Sequence, residues 1–225
     1  MHRSRLLLTL LLPLAALAAA PAVHADERYY VIFFGSESRP YRPKYTHTWA
    51  TLVKATGDGE DVSKYNLELS TISWLPATAN VRVARLRPEC GKNFDLYSTL
   101  DIVLQHSEEI LQWGPYEIGK ESYDRAMGKV ALLESGEIRY RAIDGFRRGS
   151  NISNCFHAIS DLDRIQGRAH YPLTQAGEKI TYDIVVTLEE RGRIIGRGTD
   201  HSWILHRLGL DDYPITHRRL RDGSP

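Results

Sequence analysis

The chain has 225 residues, with 29 Lys and Arg against 28 Asp and Glu and a formal net charge of +1. Without Arg3 and Arg5, which belong to the leader-like segment below, the balance is 27 to 28, a net charge of −1, and neither figure makes an electrostatic case for nucleic acid. The length suits one domain, or at most two.

In chain order, residues 1–25 combine His2, Arg3 and Arg5, an apolar run from Leu6 to about Ala20, and Val23-His24-Ala25 as a small-x-small cleavage site. This is the pattern of an export signal peptide, so the mature protein is expected in the periplasm or outside the cell. The run is short for a membrane span, contains no cysteine for lipidation, and no later segment is apolar enough to cross a bilayer. A single domain is expected over 26–210, with 211–225 as a solvated basic tail around His217-Arg218-Arg219-Leu220-Arg221.

Tyr29-Tyr30-Val31-Ile32-Phe33-Phe34 is a continuous apolar run ended by Gly35-Ser36, the mark of a central strand buried on both faces. A loop with Pro40 and Pro43 follows, then a strand from His47 to Lys54, a turn at Gly57-Asp58-Gly59, and a strand from Asn66 to Trp74. The first half therefore reads as a β-meander. Leu96, Leu100, Val103, Leu104 and Leu111 predict a helical face over 96–113, with Asp95 as N-cap. A second helix is predicted over 120–133 after the Gly114-Pro115 break, and a short strand over 139–143. A short helix begins at Cys155. Segments 179–187 and 193–205 predict a hairpin across Glu189 to Gly192. Gly196-Arg197-Gly198 lacks a strand-to-helix context and reads as a turn.

Cys155 stands in Ser153-Asn154-Cys155-Phe156-His157, where a Gly- and Ser-rich turn gives way to the short helix. A thiol in a first helical turn meets unpaired N–H groups and the positive end of the dipole, which favour thiolate. A cysteine nucleophile also needs a base and a group that orients it. His47, at the head of a strand, and His201, in Asp200-His201-Ser202-Trp203, are the candidate bases; His157 is too close along the helix to face the sulfur. Ser73 or Glu68 could orient the base, and Asn154 suits an N-cap. Cys90 is the competing partner, since two cysteines in an oxidising compartment commonly bridge. His106, His157, His170 and His206 lack the spacing of a zinc site, so neither metal nor cofactor is expected. Trp49, Trp74 and Trp203 read as core or rim aromatics.

The buried strand ending in Gly35-Ser36, the loop, Thr46-His47-Thr48-Trp49-Ala50 and then Asn154-Cys155-Phe156-His157 resemble the circularly permuted NlpC-type papain-like superfamily. That group includes lecithin retinol acyltransferase-like proteins and Lnb-type periplasmic domains. The resemblance implies an α+β fold with a small, mostly antiparallel sheet and the Cys-bearing helix packed against it. It further implies Cys155 as nucleophile and His47 as base in an amidase, peptidase or acyltransferase working through a thioester, with a peptide, amide or ester substrate from the cell envelope. The alternative is a non-catalytic envelope binding or scaffold domain with a Cys90–Cys155 disulfide.

Overall fold

The computed structural model describes residues 25–106, 108–143, 151–160 and 177–220. The predicted export segment, except Ala25, lies outside these residues, as does His170. The described chain is α+β. Strand β1 (Asp26–Glu37) pairs antiparallel with β2 (Thr46–Gly57) from Asp26↔Gly57 to Glu37↔Thr46, and β2 pairs antiparallel with β3 (Asn66–Ile72). Ser73 interrupts the third strand of the meander, and β4 (Trp74–Pro76) pairs instead with β5 (Glu89–Asn93).

Helix α1 (Leu96–Gln105) begins where Asp95 accepts the Ser98 N–H at 2.9 Å, as the capping pattern predicts. It ends eight residues earlier than the apolar spacing suggests, because β6 (Glu109–Ile118) starts at Glu109. Ile110, Leu111, Gln112 and Trp113 are at most 2% exposed. A strand buried on both faces shows no alternation, so Leu111 fell into the helical spacing by coincidence. β6 lies on the other edge of β1, making β1 central as predicted, and Gly114-Pro115 sits inside β6, where the register slips between Val31 and Phe33.

After α2 (Lys120–Glu134), β7 (Arg139–Tyr140) and β8 (Ile152–Ser153) complete a small second sheet with β4 and β5. Helix α3 (Cys155–Ser160) follows. The predicted C-terminal hairpin is instead helix α4 (Gly177–Glu190), in which Ile180, Thr181, Ile184, Val185 and Leu188 are buried at helical spacing. Their β-branched content favours strand locally, and burial of one helical stripe against the sheet overrides that preference. Only Ile194–Ile195 (β9) of the second predicted hairpin strand pairs, with the end of β6; residues 196–202 are turn and irregular chain, and α5 (Trp203–Arg207) begins before the predicted strand ends. The predicted tail is also partly ordered into the fold: β10 (Ile215–Arg218) runs parallel to β6 as an edge strand, so a boundary at residue 210 cuts through the domain.

The β1–β2 register sets which helix meets which face. Tyr30, Phe34 and Ser36 share one face with His47, Trp49 and Thr51, and Gly35 shares the opposite face with Thr48 and Ala50. Helix α4 covers the second face, where Thr48 Oγ1 meets Thr181 Oγ1 at 3.0 Å and an added Cβ on Gly35 would fall 2.6 Å from the Gly177 carbonyl. Tyr29 packs on Tyr123 of α2 on that same face, with ring centroids 4.7 Å apart. Helix α3 contacts β2, β4 and α4, and Trp74 Nε1 donates to the Ser153 carbonyl just before it, so α3 also belongs to the α4 face. The first face carries α1, through Thr99, and α5, through Trp203 edge-on to Tyr30.

Candidate functional site

Cys155 is the first residue of α3 and 5% exposed. Asn154 caps the helix: its Oδ1 accepts the His157 N–H at 2.9 Å and its Nδ2 donates to the Ala142 carbonyl at 3.0 Å, fixing the turn to its neighbour. Tyr41, in the loop between β1 and β2, lies within electrostatic reach of the thiol. Burial, then the charges of Glu37 and Cys155, push its hydroxyl up to about 12. Cys90 is exposed on β5, and neither it nor Cys155 is in a disulfide. The Cys90–Cys155 bridge of the alternative reading is therefore not formed: one thiol faces solvent from the small sheet and the other is buried with the core.

His47 is 3% exposed and sits on the other face of the sheet from α3, since Thr48, its neighbour, is the residue that meets α4. Its ring stacks on Trp49, which stacks on Phe34. Nε2 lies 2.9 Å from Ser73 Oγ, which lies 2.8 Å from Thr99 Oγ1, which lies 2.7 Å from the Asp95 carbonyl. Thr99 Oγ1 is the donor to both Ser73 Oγ and the Asp95 carbonyl, Ser73 and His47 Nε2 share a hydrogen bond whose donor depends on the tautomer, and Nδ1 has no hydrogen-bond partner. Burial without a charge partner lowers the His47 pKa to about 3, so the ring is neutral.

Of the two candidates for orienting His47, Ser73 is the one that meets its ring, and its own backbone is clamped by Asn93, which accepts its N–H at 2.9 Å. Glu68 does not: it is exposed opposite Lys54, seven residues along β2 from His47 and hence roughly 23 Å away. His201 packs against Tyr30, whose partner Val53 is six residues from His47, about 20 Å along the strand. Burial lowers the His201 pKa, against the pull of Glu117 and Asp200. His47 and His201 therefore lie about 20 Å apart along the sheet and cannot both serve one thiol. His157 leaves α3 roughly 200° around the axis from Cys155.

Two further groups escaped the sequence reading because nothing local marks them. Glu108, between α1 and β6, is buried and accepts from Ser36 Oγ at 2.5 Å, on the His47 face. Burial outweighs that bond and the Arg42 charge, raising its carboxyl to about 7. On the α4 face, the sheet, α2 and the last turn of α4 line a small, partly open recess of about 30 Å³. Val31, Phe33 and Leu52 form its floor, and Arg125 and Arg193 stand among its partly exposed lining. Among the described residues no group of three or more His, Cys, Asp or Glu could hold a metal ion, and no helix is long and apolar enough to cross a membrane.

No protein-family model matches the chain, and neither a curated protein nor a solved structure shows significant similarity to it.

Proposed function

We propose that this chain is a non-catalytic binding domain, exported by its N-terminal segment to act in the cell envelope. The observation that supports this reading is the separation of its two best catalytic candidates: His47 is locked to Ser73 on one face of the sheet, and the helix that bears Cys155 packs on the other. A thiol hydrolase needs the base within hydrogen-bond reach of the sulfur, allowing for looser apo geometry. The binding surface is the recess on the α4 face.

The test is the rate at which iodoacetamide alkylates Cys155 in the native protein at pH 7, compared with an unfolded control and with His47→Gln. A binding domain predicts labelling at least tenfold slower than in the unfolded chain and no further loss in His47→Gln. Fast native labelling that falls in His47→Gln, with circular dichroism unchanged, would overturn the reading.

A second reading keeps Cys155 as the nucleophile of an amidase, peptidase or acyltransferase. It is favoured by the thiol's place as first residue of an Asn154-capped helix, with Tyr41 in electrostatic reach. In it the thiolate attacks an amide or ester carbonyl of an envelope-derived substrate, the leaving group departs protonated, and water or another acceptor takes the acyl group from the thioester. If His47 serves as base it does so through Nδ1, because Nε2 is occupied. Accumulation of a Cys155 thioester that is absent in Cys155→Ser identifies this reading.

A further inference from the structure

We propose that the loop between β4 and β5, residues 77–88, docks the protein on a bilayer carrying anionic lipid, with Leu86 entering the interface and the arginines around it meeting lipid phosphates. This surface shares no residue with the recess or with the Cys155 helix, and it stands whichever way Cys155 reacts. Leu86 is 85% exposed, and the next large hydrophobic side chain among the described residues is Ile195 at 48%. Such exposure is ordinary in a fraying loop, but this loop is braced. Its base closes where the Ala77 N–H meets the Cys90 carbonyl at 2.9 Å, and a turn forms where the Arg85 N–H meets the Arg82 carbonyl at 3.0 Å. Arg141 Nη1 donates to the Leu86 carbonyl at 3.3 Å, and Arg85 Nε donates to the Arg87 carbonyl at 3.1 Å. The backbone around Leu86 is thus held while its side chain is left in water, an apolar surface that gains by entering an apolar medium.

Arg82, Arg85 and Arg87 interleave with Val83, Ala84 and Leu86 along the loop. The neighbouring chain adds two more cations: Arg139 of β7 lies opposite Cys90, and Arg141 reaches the loop through the Leu86 carbonyl. Arg82, Arg87 and Arg139 are exposed and have no ion-pair partner among the described residues. Of the acidic groups nearby, Glu89 lies 3.6 Å from Arg85, Glu134 accepts from Asn93 at 3.2 Å, and Glu137 is exposed two residues before Arg139, so positive charge is in excess. The chain as a whole is nearly neutral, which makes this excess local to the small sheet and its loop. Guanidiniums present planar forks to phosphate oxygens, and their aliphatic stems lie along apolar surface while the charge stays in water. An aliphatic side chain set among arginines suits a bilayer interface, where acyl chains and phosphates lie close together. Nucleic acid or a purely acidic chain uses the arginines alone and gains nothing from Leu86.

The probe is a vesicle of phosphatidylcholine alone or of phosphatidylcholine and phosphatidylglycerol in equal parts, mixed with the full chain and sedimented. The chain is expected to sediment with the mixed vesicles, to stay in solution with phosphatidylcholine, and to be released as salt is raised. Each basic side chain held at an anionic surface is worth about fivefold in partitioning, so Arg82→Gln with Arg87→Gln is expected to weaken binding at least tenfold. Leu86→Ser is expected to weaken it at least threefold. All three side chains are exposed, and circular dichroism of both variants is expected to match the wild type. Equal sedimentation with the two kinds of vesicle, or with neither, overturns the proposal without recourse to a variant. So does undiminished binding by either variant. Tighter binding to a DNA duplex or to polyglutamate than to the mixed vesicles, unchanged in Leu86→Ser, gives the arginines a different partner and overturns the assignment to lipid.

Discussion

Glu108 is the residue whose ionisation the fold resists most visibly. Its carboxyl is buried at the end of β1, bonded to Ser36, and its pKa rises from 4.5 to about 7. The folded state therefore holds the proton more tightly than the unfolded chain. The stability tied to that proton is fully present below pH 4.5 and is lost as pH rises through 7. The shift sets an upper bound of about 3 kcal/mol on the loss. His47 acts in the opposite sense: its pKa falls from 6.5 to about 3, so the unfolded chain binds a proton that the folded state refuses, and the stability tied to His47 rises as pH increases from 5 through 6.5. Urea unfolding at pH 5 and pH 8 is therefore expected to show the Glu108 fall as a difference between variants: Glu108→Gln, which still accepts from Ser36 but cannot ionise, gains stability toward pH 8 relative to the wild type. Parallel pH profiles for the two proteins would remove Glu108 from the account.

Between elements, the tightest contact is the crossing of α4 over β1 and β2. A Cβ on Gly177 would fall 2.3 Å from the Ser36 carbonyl and 2.8 Å from that of His47, all backbone atoms that cannot rotate away. The Gly177 N–H is held by Thr46 Oγ1 at 2.8 Å, and Thr181 Oγ1 reaches the Phe34 carbonyl at 3.2 Å. Gly177→Ala must push the helix off the sheet, at a cost of about 1–3 kcal/mol for overpacking and more if the Thr46 bond is lost. A midpoint of urea unfolding unchanged from the wild type would show that the helix start has room to shift. The same crossing explains why the segment is helical despite its β-branched residues: only a helix brings Thr181, Ile184 and Val185 to their buried positions together.

At the scale of the molecule, the C-terminal stretch closes the sheet. β10 pairs with β6, His217 Nδ1 bonds Gln112, and Leu220 is 9% exposed in the core. A chain ending at Leu210 loses that ladder and the burial of Leu220, and uncovers one edge of β6. A loss of about 3 kcal/mol is expected from thermal or urea unfolding, with increased aggregation through the uncovered edge. A truncated chain as stable as the whole would return residues 211–225 to the status of a solvated tail.

What the sequence by itself determined was local. The apolar run of β1 announced a strand buried on both faces, Asp95 and Asn154 announced helix starts, and Gly57-Asp58-Gly59 announced a turn, because each depends on a few adjacent residues. It also determined that His47 and Thr48 point to opposite faces, since strand parity is a property of neighbours. What it did not contain was the face on which the Cys155 helix would dock. That was decided by Gly35, Thr48 and Ala50, whose small side chains let helices approach one side of the sheet, while His47 and Trp49 filled the other under α1. Docking is a competition between whole surfaces brought together across a hundred residues, and tertiary packing alone placed the Cys155 helix against β2, β4 and α4.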